Sequence, residues 1–461
     1  MGSLKEYVEI HKNLPIKVWL KDTPKRRLSA TLKFENNRII LEIEGVVLKD
    51  DKQVLIESLF GSDANAQYFV FVDCHMMMVT HGHRIRTFLE PEKVIFYSEK
   101  PIKWQVAKAN YIESTFKYLD YWLGQKLFDV KLKEHRIDYS SRWTRKISVD
   151  PDLEIAFYSN IHNLYNYNIN RRHRLDIEQK GYFSLKYTTP VALDEALDTY
   201  TKVENLLKLA YFSLWSEEYF TLAHDDEKFK VSPKQYLPVS KELYYPRAQL
   251  NNIKLPPILE WMFLFTFNDI ENKTKFFKNW LQNEEELSPI YLPIINLMSA
   301  SLPEEYKFLG LINALELIHR RRYPTLEKRK KDYLRQRNKL FGQITVTKKA
   351  EAELLKSPNS MTGYGYQLSF KGLMNDLVTK ARKVVYIDLV ESDIDDISKL
   401  RRQFVHNNFA GVDDPLKIYK YNRSLLKTLL TMLLLDLSFS RNKANKLITS
   451  YSHNNNLNIR Y

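Results

Sequence analysis

A chain of 461 residues is too long for one ordinary core, and at roughly 100–200 residues per domain it predicts two or three folding units. Its one cysteine, Cys74, excludes an intramolecular disulfide and a four-cysteine zinc site, so a reducing, cytoplasmic compartment is expected. A net charge of +14 points toward a polyanionic partner, for which nucleic acid is the usual candidate.

The opening residues, MGSLKEYVEIHKNLPIKVW, scatter charge and lack the apolar run of a signal peptide. From Ile16 to about Phe96, short runs rich in β-branched and aromatic residues (LSATLKF, RIILEIEG, QYFVFVDC) predict an antiparallel β unit. Asn36-Asn37 reads as a hairpin turn, and Gly45 and Gly61 as strand ends. Between Ser98 and Asp150 further strands of the same sheet are expected, around Trp104, Trp122 and Trp143. Two more strands, Leu153 to Tyr158 and Tyr182 to Tyr187, bracket the basic string Arg171-Arg172-His173-Arg174.

After Pro190 the period changes. Leu193, Leu197, Val203, Leu206, Leu207, Ala210 and Leu214 recur near helical spacing and predict about six turns. The chain beyond is expected to be mainly helical, with helix pieces at Trp261 to Phe267 and Phe276 to Leu281, and Pro293 and Pro303 marking the approach to a new unit between Asn296 and Leu302. That unit is predicted to hold four helices: Glu304 to Arg322, Leu368 to about Val385, Asp393 to Asn407, and Asn422 to Phe439. The first carries Tyr306, Phe308, Leu309, Ile312, Leu315 and Ile318 on one face, with Pro303 pre-set for its first turn and Arg320 to Arg322 suiting its negative end. The last has leucines at 425, 426, 429, 430, 433, 434 and 437, the pattern of a bundle or dimer spine. The greasiest runs, Leu425 to Phe439 and Ile258 to Phe267, contain Lys427 and Asp436 or are short and contain Glu260, so neither suits a hydrocarbon layer about 30 Å thick, and no membrane partner is expected.

The fold class that follows is α+β. An antiparallel β-rich domain is expected over 1–190, a mixed or helical connector over 191–298, and a helical bundle over 299–461 with a basic insertion at 324–363. From Arg320 to Lys349 there are twelve basic residues against two acidic ones, Glu327 and Asp332. Arg320, Arg321, Arg322, Lys328, Arg329, Lys330 and Lys331 are thus candidates for RNA contact; the alternative is a solvated charged loop. The Gly363-Tyr-Gly-Tyr366 pair reads as a turn.

The segment DISKLRRQFVHNN carries the chemistry. Asp393 or Asp395 suits its start, Ile397, Leu400 and Phe404 its buried stripe, and Asn407-Asn408 its end. Arg401 and His406 stand five residues apart, roughly 140° around an ideal helix, so a loosened last turn or the reach of the arginine must bring them together. An imidazole with an ordinary pKa of about 6.5 trades protons near neutral pH. A guanidinium clamps phosphate oxygens and holds the charge that grows on phosphorus. Such a pair suits RNA cleavage by the 2′-hydroxyl, which needs no metal and no cofactor. From spacing alone, the simpler reading of the pair is a surface helix end with favourable C-terminal charge.

With FLGLINALELIHRRR as first helix and Arg-x4-His on the third of four, this unit resembles the HEPN domain in its ApeA-like branch. The stretch IKVWLKDTPKRRLSATLKFENNRIILEIEG is similar to the opening of the ApeA N-terminal domain, with Trp19, Thr31-Leu32, Phe34, Ile40-Leu41-Glu42 and Gly45 in the matching places and Ala30 where the family usually has glycine. The resemblance implies a HEPN-type four-helix bundle and a metal-independent endoribonuclease with Arg401 and His406 as catalytic pair. It further implies action on host RNA, with transfer RNA the expected target, in antiviral abortive infection set off by a phage-derived trigger, and a homodimer or higher homo-oligomer in which two HEPN domains build one composite cleft. Arg402 departs from the Asn, Asp or His usual after the motif arginine. Arg402, Asn407, Glu316, His319 and Asn313 are the candidate cleft-lining residues.

Three rivals stand beside this reading. One is a non-catalytic HEPN-type module that binds RNA or protein; another is a DNA-binding regulator, which lacks a helix-turn-helix signature. The third is a metal site formed by Asp73, Cys74, His75, His81 and His83, which meets no standard ligand spacing.

Overall fold

In the computed structural model, residues 13–20, 23–35, 38–45, 55–81, 85–97, 108–116, 118–131, 133, 136–140, 142–166, 174–212, 217–223, 228–232, 235–238, 241–244, 263–299, 302–322, 370–405 and 415–454 are described. Six strands open the chain: Asn13–Leu20 (β1), Leu28–Glu35 (β2), Arg38–Glu44 (β3), Leu55–Asp63 (β4), Tyr68–His81 (β5) and Ile85–Tyr97 (β6). They pair antiparallel in the order β6-β3-β2-β1-β4-β5, and β5 pairs again with β6, so the six close into a barrel. In β1 the alternation that predicts a strand also chooses its inner face: Leu14, Ile16 and Val18 are buried and the residues between them are exposed. Leu32, Leu41, Ile43, Phe69, Phe71 and Leu89 join them in one apolar filling. Closure removes the unpaired edges of those six strands.

Gly45 ends β3 in the left-handed region, at φ +115°, where a side chain would be strained. Gly61 has another role than the strand end expected of it. It lies inside β4, opposite Val18 and Phe69, and a Cβ there would meet the Phe71 ring at 3.0 Å. The strands β2 and β3 pair as far as Glu35 and Arg38, while Asn36-Asn37 lies outside the described residues.

From β6 the sheet continues through Lys108–Phe116 (β7), Arg142–Ser148 (β10), Leu153–Asn166 (β11), Arg174–Ala192 (β12), Glu217–Ala223 (β13) and Lys241–Tyr244 (β16), in the order β6-β16-β13-β7-β12-β11-β10. Phe128–Lys131 (β8) with Arg136–Tyr139 (β9), and Lys228–Ser232 (β14) with Gln235–Pro238 (β15), form two separate ribbons. The four strands between 217 and 244 correct the expectation of a mainly helical middle. Each is short, and β13 and β16 are fixed by pairing with β7 and β6, more than a hundred residues earlier in the chain. Periodicity within a local window does not carry such pairing.

A one-turn helix, Leu119–Leu123 (α1), lies between Tyr118 and Gly124, both at positive φ, and packs on β12. Gly181 is the contact point: a Cβ there would stand 2.6 Å from the Asp120 nitrogen and 2.9 Å from the Leu119 carbonyl carbon. These are backbone atoms and cannot rotate away. Gly181→Ala is therefore expected to cost about 1–3 kcal/mol, read as a lower urea midpoint at unchanged m-value. An unchanged midpoint would show that α1 moves off the strand at no cost.

The remaining helices are Leu193–Tyr211 (α2), Lys273–Ser299 (α3), Glu304–Arg322 (α4), Phe370–Arg382 (α5), Glu391–Val405 (α6), Pro415–Asp436 (α7) and Arg441–Asn454 (α8). Contacts divide the chain into two compact units, one of Met1–Glu204, Trp215–Glu260 and Lys273–Lys278, the other of Asn205–Leu214, Trp261–Asn272 and Asn279–Tyr461. Helix α3 runs through Pro289 and Pro293 and ends at Ser299, inside the boundary expected between Asn296 and Leu302. Each proline removes a backbone hydrogen bond, and burial of Leu287, Ile290, Tyr291, Ile294 and Ile295 offsets the loss. Among the described residues of the expected helix piece before it, Phe263 to Thr266 are not helical and Phe267–Asp269 makes a single 3-10 turn.

In α4 the bounds match the expectation and the face differs slightly: Phe308, Leu311, Ile312, Leu315 and Ile318 are buried, while Tyr306 is exposed. Helix α7 is buried on nearly all sides along its second half. Its leucines at 425, 429, 430, 433 and 434 are each 0% exposed, and the equally buried Thr428 and Thr431 hydroxyls donate to the Ser424 and Lys427 carbonyls. It is the spine of its unit. A further helix, α8, joins the four expected among the described residues; its stripe of Ala444, Ile448 and Tyr451 is narrow and surrounded by polar residues, which hides it from a periodicity reading.

Candidate functional site

Helix α6 begins at Glu391, two residues before the sequence places it, because Asp393 acts at the third helical position. There its carboxylate accepts the Val390 N–H at 2.7 Å. Ile394, Ile397 and Phe404 form its buried stripe, and Phe404 meets Phe308 of α4 edge to face at 5.6 Å. This contact holds α6 against α4 and sets Arg401, one turn earlier, opposite Glu316.

The Arg401 Nη2 lies 2.7 Å from Glu316 Oε1, an ion pair by distance without the alignment of a good hydrogen bond. The guanidinium carbon also lies 4.9 Å from the centre of the Phe370 ring, at the start of α5. Three helices thus fix one side chain. Glu316 Oε2 is 3.5 Å from Arg320 Nη2, so two guanidiniums share one carboxylate. The group carries net positive charge, and with Arg401 about one-third exposed it can meet an anion from solvent.

Glu316 and His319, both candidate cleft-lining residues, diverge. Glu316 faces α6, while His319 is buried toward α5 with its Nε2 3.6 Å from Asp376, which also pairs with Lys380. Asn313 is exposed. Arg402 is exposed as well, its Nε donating to the Ser398 carbonyl at 3.4 Å. His406, Asn407, Lys328, Arg329, Lys330, Lys331 and the whole insertion 324–363 lie outside the described residues.

Two of the arginines read as RNA contacts hold the bundle together. Arg321 pairs with Glu286 at 2.9 Å and Asp436 at 3.3 Å and donates to Asn283; Arg322 pairs with Asp436 at 2.8 Å. Burial pushes the Asp436 carboxyl above its ordinary range against the pull of Arg322 and Arg321, so desolvation offsets much of the ionic gain.

At the rival metal site, Cys74 is buried in the barrel filling, where burial pushes its thiol far up, and the neighbouring His75 is exposed and bonded to Glu92 at 2.9 Å. Adjacent strand residues point to opposite faces, so the two do not converge. His83 and the side chain of His81 lie outside the described residues. Among the described residues no group of three or more His, Cys, Asp or Glu could hold a metal ion, and no helix is long and apolar enough to cross a membrane.

An antiparallel β unit built on a closed barrel, followed by a helical bundle in which α6 presents Arg401, defines an α+β protein with a C-terminal HEPN domain. The family model for ApeA N-terminal domain 1 matches residues 17–280 and that for Apea-like HEPN matches residues 309–443, and the chain belongs to this ApeA family. The HEPN match covers both Arg401 and His406 and carries a nuclease-like function at the level of the domain class. No curated protein and no solved structure matches the chain.

Proposed function

We propose that the chain is a metal-independent endoribonuclease of anti-phage abortive infection, acting on host RNA, with transfer RNA its target, after a phage-derived trigger. The observation that supports this most is Arg401, a part-exposed guanidinium braced by Glu316 and Phe370 within the HEPN match. In the reaction, His406 takes the proton of a ribose 2′-hydroxyl, whose oxygen attacks the adjacent phosphorus. Arg401 holds the oxygens on which charge accumulates. The 5′-oxygen leaves and takes up a proton, giving a 2′,3′-cyclic phosphate and a 5′-hydroxyl. Two copies pair through their HEPN domains, so that both motifs face one phosphate.

Purified chain incubated with labelled transfer RNA in EDTA tests this reading. Cleavage that leaves 5′-hydroxyl ends is expected. Tight binding without cleavage, with the trigger supplied from phage-infected cells, would favour the non-catalytic HEPN module instead. Glu316 is a positioning residue in this scheme. Glu316→Gln keeps its shape and removes the charge that braces Arg401, and cleavage is expected to fall about tenfold, the equivalent of about 1.4 kcal/mol. The loss should sit in kcat, with the thermal midpoint unmoved; an unchanged kcat would show that Phe370 alone suffices.

A further inference from the structure

A cleft of about 1350 Å³ opens at the other end of α6, walled by the C-terminus of α5, the first residues of α6, the N-terminal half of α7 and the end of α8. Five cations, Arg382, Lys417, Lys420, Arg423 and Lys427, line it against two carboxylates, Asp388 and Asp393. Arg401 is not among the described residues that wall the cleft. Asp393 and Arg401 stand eight positions apart on α6, about 12 Å along its axis.

Four of these cations share α7, at spacings of three, three and four residues. They fall within roughly 120° of arc and recur about every 4.5–6 Å along the axis, a row about 15 Å long. A row of that pitch suits successive phosphates of an extended strand better than one compact anion. The volume agrees, since small-molecule sites usually hold about 300–1,000 Å³. Lys417 is tied to Asp396 at 2.6 Å and Arg423 lies over the Tyr419 ring, whereas Lys420 and Arg382 are exposed and, among the described residues, have no ion pair.

Two further features fit the same ligand. Ser452 lines the cleft at 1% exposed, and its hydroxyl has no hydrogen-bond partner among the described residues, leaving a donor for a phosphate oxygen. Tyr386 is 76% exposed on the rim, a flat face on which a base can stack. Burial draws the Lys427 ammonium below its ordinary range, and a bound anion would offset that penalty.

We propose that this cleft binds the sugar–phosphate backbone of a single RNA strand, as a tract separate from the cleavage site. The choice of RNA over DNA rests on the ribonuclease reading; the cationic row does not. The test is binding of a short fluorescent 2′-O-methyl RNA, which this chemistry cannot cut, to the full chain across a salt series. In the Arg382→Glu/Lys420→Glu double variant, affinity should fall at least about tenfold and the salt slope should flatten by about 0.7 per lost contact. Lys446→Glu, which reverses an exposed α8 cation outside the cleft, should stay within about twofold. Unchanged affinity in a folded double variant overturns the proposal, as does an equal loss with Lys446→Glu. A mononucleotide or a polyglutamate peptide that binds as well as the strand also overturns it, and equal binding of DNA overturns the choice of RNA. Failure of cleavage with this binding intact would remove the ribonuclease reading alone.

Discussion

Replacing Arg401 with alanine is expected to lower single-turnover RNA cleavage about 10²–10³-fold, the usual cost of removing one donor from a site where transition-state charge accumulates. The bundle should survive the change. Arg401 is part-exposed, and Glu316 keeps Arg320 within 3.5 Å as a second cation, so little stability rests on the lost pair. Arg401→Lys separates charge from shape. Lysine carries the same charge as a point, without the planar fork that lies over Phe370 and grips two phosphate oxygens, so it should recover only a small part of the rate. Full recovery by lysine would mean that the site uses charge alone.

The largest expected effect on stability lies in α7. Leu433→Ala removes a side chain that is 0% exposed at the centre of the helix that carries the bundle. Leucine-to-alanine changes at such positions cost about 2.7–5 kcal/mol, the upper end where neighbours cannot collapse into the void. Helix α7 is closely buried around Leu433, with Leu429, Leu430, Met432 and Leu434 each 0% exposed, which argues for the upper end. At about 2–4 °C per kcal/mol for a unit of this size, the upper end lowers the thermal midpoint by roughly 10–20 °C. A fall of less than two degrees would show that α7 is not the spine.

What the sequence makes legible follows from how local each signal is. The bounds of α4 can be read from Pro303, two acidic residues at the start and three arginines at the end, because caps and end charges act within one turn. Strands β1 to β3 can be read because buried and less buried residues alternate along them, and β5 because β-branched and aromatic residues cluster in Tyr68 to Val72. Strands β13 and β16 have meaning only through partners far along the chain, and α8 buries too narrow a stripe to announce itself. Helix α3 extends well past the piece expected at Phe276 to Leu281 because burial, invisible to a propensity argument, outweighs the local cost of its prolines.

The candidate site divides in the same way. The Arg-x4-His spacing is local, and with the family resemblance it marks Arg401 as a candidate. That Glu316 braces Arg401 while His319 turns toward Asp376 depends on which helices neighbour α4, which spacing within one helix does not carry. Arg321 and Arg322 illustrate the converse: a run of like charges suggests a solvated or RNA-facing block, yet Asp436, over a hundred residues later, draws two of its members into the bundle. The cationic row of α7 was present in the sequence all along. The leucine pattern on the same helix is the stronger signal and masks it.

The most direct measurement is cleavage of transfer RNA in EDTA by His406→Ala beside the unaltered chain, with binding followed in parallel. Loss of cutting at near-normal affinity is the predicted result, since the imidazole moves the proton and the guanidinium only holds charge. Cutting at the unaltered rate would contradict the account and place the chemistry elsewhere.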